Sequence, residues 1–336
     1  MGAWTIRYSW PDGYPYRYWE DDVGSVIPKR YLQTVFYVYP DKNAADKGEA
    51  CGATGFFVKH QHSFIAGKKR TTVWYAVTND HALRRKDKGA YFPNPAIRVN
   101  VSGKAQTVQT NHNRWICDEG RDIAVLPLFE TEVYSDVEFL DSQSFVGKSS
   151  VSNECVEMGG WFCYGLGDEV FMVGRLLDHD GKDVNYPSIR MGNISMFPCE
   201  VTDGELLVEC RSIGGYSGSP VFACVTNASQ PTTDRTMSLV KLIGINRGNA
   251  KTNEVGNTGM TFVVPAWHIL ELINSRKVIM ESEKIYQQQE KEKVAKYREL
   301  DSSEAKTQKT AQGTEIPVPS NKQFFGDLEK ASRKKD

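Results

Sequence analysis

From about Tyr31 the chain alternates short apolar runs with clusters of turn residues. Residues 34–39 form an apolar run, followed by a polar stretch at 41–49 that reads as a loop. Residues 54–59 and 72–78 follow in the same style, and 97–101 alternates apolar with polar positions, as a half-buried strand does. Residues 123–128, 169–177, 206–209, 221–225, 239–245 and 260–264 complete the series. Asp180-Gly181, Gly192-Asn193, Asp203-Gly204 and Gly248-Asn249 read as the turns of the second half. Many short strands without intervening helices predict an all-β sandwich or barrel.

The period changes after Pro265. Residues 267–300 hold no Gly or Pro and follow helical spacing, with Ile269, Leu270, Leu272 and Ile273 as a face that packs on the body. The charged, glutamine-rich stretch at 276–300 is a solvated helix, and the polar residues 301–336 are expected to be a disordered tail. Residues 1–28 carry aromatic and turn residues and read as an irregular arm.

With 336 residues, 40% hydrophobic and 25% charged, the chain can bury a sizeable core. A net charge of −1 gives no basic field for nucleic acid, and no apolar stretch is long enough to span a bilayer. The start lacks a basic region followed by an apolar one, so no secretory signal is read there. Seven cysteines without a CxxC pair argue against a disulfide framework or a cysteine-rich zinc site. Together these predict a cytoplasmic protein with no metal and no cofactor, whose protein partners, if any, meet the C-terminal helix or tail.

Three local sites carry possible chemistry. Gly215-Tyr216-Ser217-Gly218-Ser219-Pro220 leads into the apolar Val221-Phe222-Ala223. A serine between glycines combines an exposed hydroxyl with close backbone N–H donors, which suits nucleophilic attack with oxyanion stabilisation. Val77-Thr78-Asn79-Asp80-His81 puts a histidine at a strand end, and Arg121-Asp122-Ile123-Ala124-Val125 puts a carboxylate at the start of a buried strand. Asp118 and Glu119 compete with Asp122 for that role. His60 and His62 alternate on a strand and read as surface residues, and Asp178-His179-Asp180-Gly181 reads as a hairpin turn rather than a metal loop.

These boxes resemble the trypsin-like, chymotrypsin-fold serine peptidases of cytosolic or bacterial type. Gly52-Ala53-Thr54-Gly55-Phe56 resembles the strand before the histidine, and Leu242-Ile243-Gly244-Ile245 resembles the strand lining the cleft. Asn257-Thr258-Gly259-Met260-Thr261-Phe262 resembles the last strand before the closing helix. The resemblance covers about residues 29–275 and implies two six-stranded barrels, at about 29–140 and 150–265, with a cleft between them. It implies an endopeptidase with His81, Asp122 and Ser217 as the triad, the N–H groups of Gly215 and Ser217 as the oxyanion hole, and a polypeptide substrate. It puts Arg211 at the floor of the primary pocket, and Asn246, Arg247 and Gly248 along the substrate strand, which suggests acidic or polar side chains at the cleaved residue. Tyr216 stands where secreted members carry an aspartate that pairs with a new N-terminus, so activation by amino-terminal cleavage is not expected. A catalytically silent binding scaffold and a peptidase that processes only its own tail are the alternatives.

Overall fold

A computed structural model of the chain describes residues 27–85, 89–129, 137–148, 164–225, 239–252, 256–302, 307–309 and 315–317. The amino-terminal arm up to residue 26, and most of the tail, lie outside these residues. The chain divides into two compact units, Met1–Ser282 and Glu283–Asp336.

The first unit is mostly β, as its patterning requires. Its first half holds β1 (Val35–Tyr39), β2 (Ala53–Ile65), β3 (Lys68–Thr78), β4 (Ala96–Val101), β5 (Lys104–Gln109), β6 (Ile116–Asp118), β7 (Ile123–Pro127) and β8 (Leu140–Asp141). They form an eight-stranded sheet in the order β5-β4-β1-β2-β3-β7-β6, with β8 parallel to β2. The sheet wraps a core of Phe36, Val38, Phe57, Ala76, Leu83, Ile97, Trp115 and Leu126. Among the described residues its hydrogen bonding does not close into a ring, because β5 and β6 remain edges.

The second half holds β9 (Glu169–Gly174), β10 (Ser188–Met196), β11 (Leu206–Glu209), β12 (Pro220–Val225), β13 (Leu239–Thr252) and β14 (Gly256–Pro265). These six strands close into a barrel in the order β10-β11-β14-β13-β12-β9. Val170, Met172, Ile194, Leu206, Val208, Val221, Ile243 and Val263 fill it. Alternation along β9 turns Phe171 the other way, where it stacks with Phe222 at 4.9 Å and meets the edge of Tyr31. Strands buried on both faces explain why β9 and β12 read as unbroken apolar runs.

Two helices end the β region: α2 (Ala266–Ile273) and α3 (Arg276–Ser302). One helix was expected from 267 to 300; the break falls at Asn274, whose side-chain amide and backbone N–H both bond back to Leu270 O, ending the helix. The expected loop at 41–49 contains α1 (Lys42–Lys47), capped by Asp41, which accepts from Ala44 N at 2.9 Å, and ended by Gly48 at φ 59°. Two expected turns are strand interiors. Gly192 lies within β10, where a Cβ would come 2.1 Å from Glu209 O, and Gly248 lies at an irregularity within β13. In the second unit β15 (Thr307–Lys309) and β16 (Glu315–Pro317) pair antiparallel, where only a polar tail was expected.

Candidate active site

The histidine box enters the site through a change of backbone. Strand β3 ends at Thr78, and a single 3-10 turn, His81–Leu83, carries the histidine out of the sheet. Asn79 and Asp80 are buried while the His81 side chain stays 46% exposed, so the imidazole is open to solvent.

Asp122 meets it from the start of β7. Its Oδ2 lies 2.6 Å from His81 Nδ1, and its Oδ1 accepts from His81 N–H at 2.9 Å. Its carbonyl accepts from Asn79 Nδ2 at 3.0 Å. Both carboxylate oxygens therefore grip one residue, which fixes the ring relative to its own backbone. The residue sits at φ 56°, a left-handed conformation that aspartate tolerates better than most side chains. The competing acids are occupied elsewhere. Asp118 accepts from Arg121 N, and Glu119 pairs with Arg84 at 2.9 Å. Asp80 holds the Arg84 guanidinium at 2.6 Å and accepts from the Tyr91 hydroxyl at 2.8 Å, so it is also committed.

The Ser217 turn is held against the same strand ends. Thr54 of β2 donates its N–H to Ser217 O at 2.8 Å and its hydroxyl to Gly215 O at 2.7 Å. The Thr54 carbonyl accepts from Thr78 Oγ1 at 2.7 Å, so the strand leading to His81 and the strand gripping the turn are tied together. Gly218 is required by contact as well as by φ 82°: a Cβ there would stand 2.0 Å from Thr54 O and 2.6 Å from Thr78 Oγ1. Gly215 adopts φ 96° in a turn closed by Tyr216 N–H donating to Ile213 O. Among the described residues the N–H groups of Gly215 and Ser217 have no hydrogen-bond partner. Ser217 itself is half-buried.

Tyr216 is fully buried, with its hydroxyl 2.5 Å from Ser188 Oγ and Arg190 5.3 Å above its ring. Burial pushes its pKa up, so the ring is an uncharged plug in the barrel core.

The four residues expected to contact substrate fall into different surroundings. Arg211 is exposed and lines a cavity with Arg190 and Tyr216. Asn246 is completely buried; its amide donates to Ser212 Oγ and Tyr216 O, and its carbonyl oxygen accepts from Thr261 Oγ1 at 2.5 Å. Its backbone also meets the turn, since Gly218 N–H donates to Asn246 O. Arg247 lies beside the triad carboxylate, with Nε 3.8 Å from Asp122 Oδ2 and Nη1 2.7 Å from Glu205 Oε1. Glu205 is buried, which pushes its carboxyl pKa up against the pull of Arg247. Gly248 has open space where a side chain would project, and its carbonyl accepts from Thr261.

Sequence reasoning quoted Thr54 only within the box before the histidine and gave neither it nor Glu205 a role in the site. A threonine in a strand and a glutamate after an Asp-Gly turn are ordinary residues there, so neither carries a local signal. Among the described residues no group of histidine, cysteine and acidic side chains forms a metal-binding cluster, and no helix is long and apolar enough to cross a membrane.

No protein-family model matches the chain, and no curated protein matches it. Solved structures do. Neuropsin, a serine protease expressed in the limbic system of mouse brain, is 13% identical, with 73% of this chain and 95% of that one covered and a TM-score of 0.39. A thermostable serine protease, AL20, from an extremophilic microorganism is 10% identical, covering 73% and 97%, at a TM-score of 0.43. The protein HBP, solved at atomic resolution, is 9% identical, covering 74% and 92%, at 0.41.

Proposed function

We propose that the chain is a serine endopeptidase that cleaves through an acyl-enzyme. The observation that carries this reading is the double grip of Asp122 on His81, at 2.6 and 2.9 Å, with a serine turn that carries two unpaired N–H groups tied through Thr54 to the strand leading to His81. In this reading Asp122 holds the Nδ1–H tautomer, leaving Nε2 of His81 to take the Ser217 proton as its oxygen attacks the peptide carbonyl. The same proton then goes to the leaving amine, and water repeats the sequence to release the acyl group. The N–H groups of Gly215 and Ser217 would bind the developing oxyanion, each worth about 3–4 kcal/mol in the transition state.

Two details shape the proposal. The buried Tyr216 plug holds the turn by packing, which supports a site assembled without amino-terminal cleavage. Arg247 already faces Glu205 and Asp122, while Arg211 lines a cavity with Arg190 and Tyr216, so among the described residues the two arginines do not point to one acidic side chain of a substrate.

A fluorophosphonate probe tests the reading. The full-length chain should be labelled, Ser217→Ala should not be, and Asp122→Asn should slow labelling roughly 10⁴-fold, because the wrong histidine tautomer is then favoured. A well-folded chain that takes no label would be the binding scaffold instead.

A further inference from the structure

The carboxylate of Asp122 is nearly buried, and among the described residues its side chain has two polar neighbours. Both oxygens hold His81, and the guanidinium of Arg247 stands beside Oδ2, with Nε at 3.8 Å. The other arginines near the triad in the chain are committed elsewhere. Arg121, adjacent to Asp122, pairs with Glu271 at 2.7 Å, and Arg84 pairs with Asp80 at 2.6 Å and Glu119 at 2.9 Å. Arg247 is therefore the cation that answers the Asp122 charge, and it comes from the other half of the unit. It lies in β13, whereas Asp122 immediately precedes β7.

The position of Arg247 is set by Glu205, the residue before β11. Glu205 accepts from Nη1 of Arg247 at 2.7 Å and is buried, while the arginine side chain is 45% exposed. The flexible, half-exposed side chain is thus held between two nearly buried carboxylates. Burial raises the Glu205 carboxyl against the pull of Arg247, and the nearby charges of Asp122 and Asp203 raise it further.

His81, Asp122, Arg247 and Glu205 therefore stand in a row of alternating charge. Asp122 draws a proton onto the imidazole. A guanidinium on the same Oδ2 weakens that draw, and a carboxylate behind the guanidinium restores part of it. The row governs how readily His81 takes a proton from solvent. A histidine that has taken one from solvent cannot take one from Ser217.

We infer that Arg247 is a positioning residue for the proposed triad, held in place by Glu205: it steadies the Asp122 carboxylate and keeps His81 unprotonated to lower pH than the Asp122–His81 pair alone would. Its part in catalysis rests on the peptidase reading; the charge coupling to His81 does not.

An NMR titration of the full-length chain tests the coupling, with the His81 ring signals, one set of six, identified by their loss in His81→Gln. Arg247→Gln should raise the midpoint of the His81 titration by at least about half a pH unit, and Glu205→Gln should lower it by about the same amount. Arg247→Lys keeps the charge and should stay within about 0.2 pH unit of wild type. A general loosening of the site would move the Gln variants the same way, so opposite shifts identify the charges as the cause. The acid limb of fluorophosphonate labelling should follow, moving up in pH in Arg247→Gln and down in Glu205→Gln. An unmoved midpoint in folded Arg247→Gln overturns the inference, as does an equal shift in Arg247→Lys or a shift of the same sign in Glu205→Gln. Glu205 is buried, so if Glu205→Gln does not fold, the contrast between Gln and Lys at the half-exposed position 247 decides. If the wild type takes no label while the midpoints move apart, the peptidase reading falls and the coupling stands. Labelled wild type with unmoved midpoints gives the reverse.

Discussion

At the scale of single residues, Thr54 connects the parts of the site. Its N–H, hydroxyl and carbonyl bind Ser217 O, Gly215 O and Thr78 Oγ1, and its hydroxyl accepts from Arg175 N–H at 2.9 Å. One fully buried threonine thus holds both ends of the proposed oxyanion turn and the strand that leads to His81. Thr54→Val keeps the shape and removes the hydroxyl, leaving Gly215 O and Arg175 N–H unpaired in the interior. The expected cost is about 1–3 kcal/mol of stability, read from a denaturant midpoint. Fluorophosphonate labelling should slow about tenfold or more, and Thr54→Ser should restore most of both. Unchanged labelling in a folded Thr54→Val would show that the turn keeps its shape without the hydroxyl. The triad candidates were legible because each sits in a locally unusual context: a histidine at a strand end, an acid opening a buried strand, a serine among glycines. The role of Thr54 was not legible, because its partners in the turn and at Arg175 lie far away in the chain.

At the scale of elements, the strands run further than their apolar runs. β2 continues through Lys59, His60, Gln61 and His62 to Ile65, paired with β3 throughout. His62, read from the sequence as a surface residue, is buried, with Nε2 2.6 Å from the Tyr75 hydroxyl, which itself lies 3.0 Å from Ser282 Oγ at the start of α3. The surface reading of His62 fails because the helix that covers that face of β2 could not be read locally. Burial and the neighbouring His60 lower the His62 pKa from 6.5 to about 4. The unfolded chain therefore binds a proton in the window between these values and the folded chain does not. Stability from this group is full above about pH 6.5 and is lost as pH falls toward 4, by up to about 3 kcal/mol. His60, also lowered by burial, adds an effect of the same sign. Denaturation midpoints measured between pH 7 and 4 should fall steeply in wild type and less in His62→Gln. Equal slopes would remove His62 as the cause.

At the scale of the molecule, two buried arginines bind the halves of the first unit together. Arg175, at the end of β9, is fully buried; it pairs with Asp180, donates to Cys51 O and to Glu49 O at 2.6 Å, and packs over the rings of Tyr37 and Tyr39. Arg98 of β4 reaches Asn185 Oδ1 at 2.8 Å and the carbonyls of Gly181 and Lys182. The segment 178–183, expected to be a plain hairpin turn, is thus the anchor of the second barrel on the first sheet. Arg175→Met should cost about 3–5 kcal/mol by leaving Asp180 buried without its partner, measured by equilibrium unfolding. A loss below 1 kcal/mol would show that water replaces the guanidinium there. The sequence by itself determined the β character, the positions along the chain of the strands that bury both faces, and the candidate residues for the proposed chemistry, because periodicity and local context act over a few residues. Only the tertiary structure decided which acid His81 meets, which arginines are buried, where Arg211 and Arg247 part company, and what holds the Ser217 turn. Those outcomes depend on contacts between residues tens to more than a hundred positions apart, such as His81 with Asp122 and Thr54 with Gly215, and short-range patterns carry no record of them.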